Sequence, residues 1–301
     1  MAVKIIVWLV LCLIWGTTWL AIKIGLAEIP PFTFVAYRFT LSIALVGLLL
    51  ASLKIPPPKG RKEWNLVLIT GILQFSINYS LVFWSETHIS SGLAAVLQAT
   101  IPVFGLLFAA ALLPNERFTA FKFGAILLGI VGVGVIFYDQ LEIENLNGLL
   151  GSAGIVVGAV AAASASILTK AKGDGMHPVT LLYGQMVCGV GPIVVYALVV
   201  EGSPLAHKIT WKGIACILYL VVAGTIVSFW LYYWLLKRVE STKAMTIALV
   251  TPMIAVFAGA IFLGEVLSRH ALLGGFLILG SVGLIILRKS RPVLVSEENS
   301  E

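Results

Sequence analysis

Charged residues in this chain fall in short clusters separated by long apolar runs. Eighteen uncharged residues separate Lys4 from Lys23, and 22 separate Glu63 from Glu86. Each run is about the length that crosses ~30 Å of hydrocarbon at ~1.5 Å per residue. The same pattern continues through 89–115, 123–138, 145–169, 178–200, 213–236, 244–264 and 271–287, and a further run at 29–53 is interrupted once, by Arg38. The ten runs are too long for tilted membrane strands of about 9–11 residues, so helices are predicted, each satisfying its own backbone polar groups. The short loops leave no room for a soluble domain. The first run exceeds the ~7–15 residues of a leader-peptide core, lacks a small-residue cleavage site and ends at Trp19 and Lys23, so it is expected to stay in the mature protein.

Composition agrees: 59% of residues are hydrophobic and 11% charged, with a mean hydropathy of +1.03. The net charge of +6 then reports orientation rather than nucleic-acid binding. With a cytoplasmic N-terminus, 15 Lys and Arg fall on the inside, 4 on the outside, and Arg38 within a span. The loop after the fifth span, with Asp139, Glu142 and Glu144, carries no basic residue and suits the outside. Both termini are expected in the cytoplasm of a cell (inner) membrane protein, with 291–301 a disordered tail. Cys12, Cys188 and Cys216 lie within spans without paired or metal-ligand spacing, so they read as packing residues.

The two halves of the chain repeat. Residues 82–116 align with 232–265, pairing Trp84 with Trp234, Ser91 with Ser241, Pro102 with Pro252 and Glu116 with Glu265. Gly124, Gly129 and Gly132 match Gly275, Gly280 and Gly283, while Lys23 and Pro31 match Lys170 and Pro178. The halves divide as 1–144 and 145–290, with five spans each. An odd number inverts the second half, the arrangement of secondary transporters whose repeats rock about a midplane site.

The opening Trp15–Gly16, the ten spans in two halves, and the paired motifs Pro102 to Glu116 and Pro252 to Glu265 resemble the EamA family of the drug/metabolite transporter superfamily. The resemblance covers residues 5–290. It implies a secondary transporter, often an exporter of amino acids or related metabolites, with a cavity between the halves; separately, no cofactor is expected. Its glutamates map to Glu116 and Glu265, expected as structural helix ends. The repeated Lys23 and Lys170 are read the same way.

Polar residues at membrane depth mark the candidate site, because they are expensive there and turn inward. Trp15, Thr18 and Trp19 form one stripe on the first helix while Thr17 points away. This stripe is unrepeated, since Ala162 and Ser166 stand opposite the tryptophans, and it reads as a substrate wall or a packed seam. Arg38, about 10 Å of helix rise below Pro31, reads as a cation for a substrate carboxylate or phosphate. Its alternatives are snorkelling, or pairing with Glu28 or a helix-end carbonyl. Gln74 and Asn78 share a face with Tyr79 beside them, and Ser228 with Tyr232 and Thr225 forms the inverted counterpart; such faces line a wet cavity or bridge helices. Gln98, and Tyr183 with Gln185 (opposite Arg38), complete the candidate lining. Pro102 and Pro252 are candidate gates or static kinks. The small residues of 159–166 and the glycines of the fifth and tenth spans predict close helix contact.

No Asp or Glu lies mid-span, since Glu86, Glu116 and Glu265 stand at span ends, and the four histidines lie in loops. That argues against coupling through a buried carboxylate or histidine. Ser164 and Ser166 lack an in-span histidine or carboxylate, and motifs such as H-E-x-x-H or G-x-S-x-G are absent, so no enzyme and no metal site are expected. The leading expectation is an alternating-access exporter of amino acids or related small metabolites. A transporter of a lipid-linked sugar or nucleotide sugar stands behind it, and a membrane scaffold or receptor behind that. The implied partners are the bilayer and a small-molecule substrate, without nucleic acid; a monomer and a homodimer fit equally.

Overall fold

The computed structural model describes residues 2–89, 91–141, 145–203, 209–263 and 268–287. Nine helices among them are long and apolar enough to cross a membrane: α1 (Ala2–Leu26), α2 (Pro31–Ser52), α3 (Gly60–Ser85), α4 (Leu93–Leu112), α6 (Leu146–Lys172), α7 (Pro178–Val200), α8 (Trp211–Leu236), α9 (Ser241–Ala258) and α10 (Arg269–Leu287). The shorter apolar helix α5 (Ala120–Ile136) makes ten. The protein is an all-helical, multi-pass membrane protein. Glu265 and the tail at 291–301 lie outside the described residues.

Local signals set the helix ends. Pro31 and Pro178 open α2 and α7 at positions where no backbone N–H is needed. Thr119, Asn145 and Thr210 cap α5, α6 and α8 by accepting from Lys122, Gly148 and Lys212 backbone N–H groups. Pro114 disfavours helix at the residue before it, which explains why α4 stops at Leu112 rather than running on to Asn115. Some caps come from the opposite half. Glu201 accepts from the Phe32 and Thr33 N–H groups at 2.9 and 2.6 Å, and Glu28 accepts from Thr210 N at 3.0 Å.

The packing displays the duplication. Contact α1–α9 is matched by α6–α4, α3–α6 by α8–α1, and α3–α7 by α8–α2, while α2–α7 and α5–α10 pair with their own counterparts. That is the contact scheme of two inverted repeats. Helices α5 and α10 touch through Gly132 and Gly274, where an added Cβ on either would lie within 2.8 Å of the other's carbonyl oxygen. Gly129 also faces α10, where an added Cβ would lie 2.7 Å from Ser281 Oγ, so the predicted glycine contact is present, although Gly124, Gly134, Gly280 and Gly283 take no part in it. The apolar side chains facing away from the bundle, Leu48, Val195, Val199 and Phe276 among them, are exposed, as a lipid-facing surface requires.

Two irregularities repeat as well. Residues Ile72–Asn78 of α3 and Val222–Val227 of α8 wind as π-helix. In the second, Thr225 and Ser228 donate five residues back, to the Leu220 and Ala223 carbonyls at 2.8 and 2.7 Å. Such turns cluster at functional sites because they re-aim side chains without ending the helix. Helix α4 is broken at Ala99–Thr100, just before Pro102, and α9 at Thr246, six residues before Pro252. Around Pro252 the helix itself continues, and the Ala248 carbonyl that proline leaves free receives the Thr251 hydroxyl at 3.5 Å.

Candidate functional site

A cavity of about 180 Å³ opens between the halves, walled by α1, α2, α3 and α4 on one side and α6, α8 and α9 on the other. It is slightly larger than the ~150 Å³ apolar cavity that accepts benzene in an engineered core. The structure gathers Trp15, Thr18, Trp19, Arg38, Gln74, Asn78, Tyr79, Gln98 and Tyr232 around it. Ser166, Phe229, Met245 and Thr251 join the lining, as does Glu86.

The tryptophan stripe is both wall and seam. The Trp15 indole donates to the Gly224 carbonyl at 3.3 Å and packs on Phe229 and Tyr232 with ring centroids 5.6 and 5.4 Å apart. Gly16 beside it admits α9: a Cβ there would stand 2.4 Å from the Ile254 side chain. Thr17 turns away, in hydrogen-bond contact with the Tyr219 hydroxyl at 2.6 Å. Tyr232 donates to Ser166 Oγ at 3.1 Å, closing the far wall.

Arg38 is 3% exposed, so it does not snorkel. Its Nε donates to Thr225 Oγ1 and its Nη2 to the Gly224 carbonyl, both at 2.9 Å. Its guanidinium carbon lies 5.0 Å from the Phe39 ring centroid and 5.5 Å from that of Tyr79. No carboxylate among the described residues pairs with it, and Glu28, one expected partner, holds Thr210 instead. Removing an arginine from water costs several kcal/mol. Two charge-assisted hydrogen bonds return roughly 1.5–3 kcal/mol each and the ring contacts roughly 1 kcal/mol more. The cation is solvated by the π-turn of α8 but not neutralised.

Asn78 is 4% exposed and accepts from Gln98 Nε2 at 3.4 Å, which joins α3 to α4 across the cavity floor. The Gln98 carbonyl oxygen is buried with no hydrogen-bond partner. Phe39, Phe75 and Tyr79 form an aromatic cluster behind this floor, with Phe39–Phe75 and Phe39–Tyr79 centroids at 5.1 and 4.9 Å.

Three expected lining residues do not reach the cavity. Gln185 is fully buried in a knot of its own, donating to Thr70 Oγ1 at 2.8 Å and Thr169 Oγ1 at 3.0 Å and accepting from the Tyr233 hydroxyl. It therefore bridges α3, α6, α7 and α8. Ser228 spends its hydroxyl on the Ala223 carbonyl within its own helix. Tyr183 lies beside Gly47 of α2, its ring 3.3 Å from where a Cβ would be.

The expected helix-end ions divide. Lys23 is an exposed residue in the last turn of α1. Glu116, four residues past the end of α4 and 6% exposed, does not close its own helix but caps the start of α9. Its two oxygens accept from Ser241 N at 2.9 Å each, and Lys170 Nζ lies 2.6 Å away. Lys122 and Glu240 form a second inter-half pair nearby at 3.3 Å.

Glu86 stands at the end of α3, as its position predicts, and is part of the cavity wall all the same. It is half-buried there. Among the described residues nothing donates to it or pairs with it. Burial pushes its carboxyl up to about 7.

Ten helices in inverted halves around a mainly apolar cavity with a few polar and charged residues in its wall are the architecture of a secondary transporter. The sequence profile of the EamA-like transporter family matches twice, over residues 3–138 and 149–287, and the chain belongs to that family. It is 29% identical over 297 residues to the uncharacterized inner membrane transporter YedA of Escherichia coli K12, covering 94% of this chain and 92% of YedA. It is 23% identical over 266 residues to the uncharacterized transporter YoaV of Bacillus subtilis, covering 88% and 90%. One solved crystal structure superposes with a TM-score of 0.81 at 16% identity, over 95% of this chain and 97% of that one, a likeness of fold. The protein is a membrane transporter.

Proposed function

We propose that the chain exports amino acids or closely related small carboxylates, by exposing its central cavity alternately to the two sides of an inner membrane, with both termini in the cytoplasm. The observation that carries this reading is Arg38, a buried cation on the cavity with two donors engaged by α8 and no carboxylate partner among the described residues. A substrate carboxylate completes its solvation through the remaining fork N–H groups. The tryptophans and Phe83 offer an apolar wall for a side chain. The volume suits a molecule of one amino acid's size and is small for a sugar nucleotide. The excess of Lys and Arg on one set of loops supports the orientation.

The test is flux in proteoliposomes against the twenty amino acids. Saturable transport of at least one is expected, lost in Arg38→Ala and reduced about tenfold or more in Arg38→Lys, which lacks the planar fork. No saturable flux of any amino acid would sink the proposal.

A further inference from the structure

Resting on the amino-acid reading, we infer that Glu86 is the acceptor for the substrate's ammonium group, which makes the cavity a two-ended site for a zwitterion with Arg38 at the other end. Both residues line the same cavity. Arg38 sits against Tyr79, with 5.5 Å from its guanidinium carbon to the ring centroid. Tyr79 and Glu86 are seven residues apart, two turns, and so share a helix face with roughly 10 Å of rise between them. A head group carrying ammonium and carboxylate on one carbon, flanked by two charge-assisted hydrogen bonds of about 2.8 Å, spans roughly 8–10 Å. The rise along the helix from Tyr79, on which Arg38 packs, to Glu86 is thus comparable to one amino-acid head group's length.

The two charges are also unspent in a complementary way. Arg38 has no carboxylate partner, and Glu86 has neither a hydrogen bond nor an ion pair among the described residues. A half-buried carboxylate without a donor is costly, and a ligand ammonium supplies three donors. In the repeat alignment Glu86 faces Leu236 and Arg38 faces Gln185, so neither end is a by-product of the duplicated framework. The cavity walls between them, Trp19, Val82 and Phe83, are apolar and hold the rest of the molecule.

The experiment measures binding of L-leucine, L-threonine and L-phenylalanine to the purified full chain, each against its N-acetyl derivative, which keeps the carboxylate and loses the cation. The parent is expected to favour the free amino acid by about tenfold to a hundredfold, the worth of one charge-assisted hydrogen bond in a half-buried site. Glu86→Gln should erase that preference by weakening the amino acid while leaving the N-acetyl form unchanged, and Glu86→Asp should restore part of it. Both variants are checked for monodispersity and parental thermal unfolding. If Glu86→Gln discriminates as well as the parent, the inference is overturned while the amino-acid reading stands. If the parent binds none of the three amino acids and the proteoliposome screen finds flux of none, both fall together.

Discussion

Glu116→Gln tests whether the two halves are joined by a buried ion pair or merely abut. The substitution keeps the shape and one acceptor oxygen, so Ser241 N retains a partner. The charge opposite Lys170 is lost, leaving an ammonium 17% exposed with the Val239 carbonyl as its remaining contact. Breaking one side of a buried pair costs about 3–5 kcal/mol, largely because the other charge stays stranded. At ~2 °C per kcal/mol, the scale for large soluble domains, the apparent unfolding temperature should fall by about 6–10 °C. Adding Lys170→Met removes the stranded charge, so the double variant should recover about half of the loss or more.

The assay is a double-mutant cycle read by thermal unfolding in one detergent at one scan rate, since unfolding of such a chain is scored as a rate-dependent midpoint. Additive shifts, or a single-variant shift under about 2 °C, would refute the reasoning by showing that Glu116 and Lys170 are not coupled. The second inter-half pair, Lys122 with Glu240, is an internal control. Its acid is more exposed, Glu240 at 16% of the side chain against 6% for Glu116, and its contact is longer, 3.3 Å against 2.6 Å. Its loss should shift the midpoint by less than half as much.

Thr225→Val should remove the hydroxyl that receives Arg38 Nε and cost about 1–2 kcal/mol, seen as a weaker apparent affinity for the carboxylate substrate in flux assays. Gln185→Leu should destabilise by about 2–3 kcal/mol, because it takes the acceptor from the buried Tyr233 hydroxyl and the donor from Thr169 and Thr70, of which Thr70 keeps its bond to the Leu66 carbonyl, while leaving the substrate selectivity of the surviving folded protein unchanged. Gly132→Leu should disrupt the α5–α10 crossing and lower the yield of folded protein, whereas Gly134→Leu, where a Cβ meets nothing within 4 Å, should not. Amino-acid affinity should be highest above pH 7 and fall as pH drops through about 7, because the ionised form of Glu86 binds the ammonium and burial has raised its carboxyl to that range. Glu86→Gln should flatten the profile; His88, whose ring packs at a tilt against Trp84 with centroids 4.6 Å apart, is the nearby group to control for, with His88→Ala.

The spans, their number and the inverted repeat were legible because each rests on a one-dimensional quantity: an apolar run of membrane length, or a matched order of Trp, Pro, Gly and Glu. Much of the cavity lining was legible for a related reason. A polar side chain at membrane depth must face inward, and Arg38, Gln74, Asn78 and Gln98 all do so. Depth does not say which inward space a residue meets. Gln185 gave the same signal as Asn78, but its partners come from α3 and α6, and Thr70 is 115 residues away in sequence. Ser228 was equally ambiguous, because a hydroxyl in hydrocarbon is satisfied as well by its own helix as by a cavity. The π-turns left no trace in apolar periodicity. Glu86 was missed because a span-end residue counts as interfacial, whereas the cavity runs along α3 to that end.

These results separate a symmetric frame from an asymmetric lining. The helix contacts, the π-turns at the middle of α3 and α8, and the breaks in α4 and α9 recur in both halves. Inverted repeats need such a frame, because the two orientations of the transporter exchange the roles of the halves. The charged ends of the cavity and its tryptophans do not recur. All come from the first half, while the facing wall from the second half is built of Ala162, Ser166, Ala244, Ala248 and Tyr232 among others. With both charges on helices of one repeat, their spacing is kept when that repeat moves as a body. The residues opposite carry no charge to hold the ligand, and as the second half moves it is the bonds of Arg38 to Thr225 and Gly224 that must exchange. A substrate held this way is recognised by the first half and released by the movement of the second, so charge substitutions should change affinity, and bulky substitutions at Ala162 or Ala248 should slow turnover at unchanged affinity. Turnover and affinity falling together in Ala248→Leu would place the recognition in both halves.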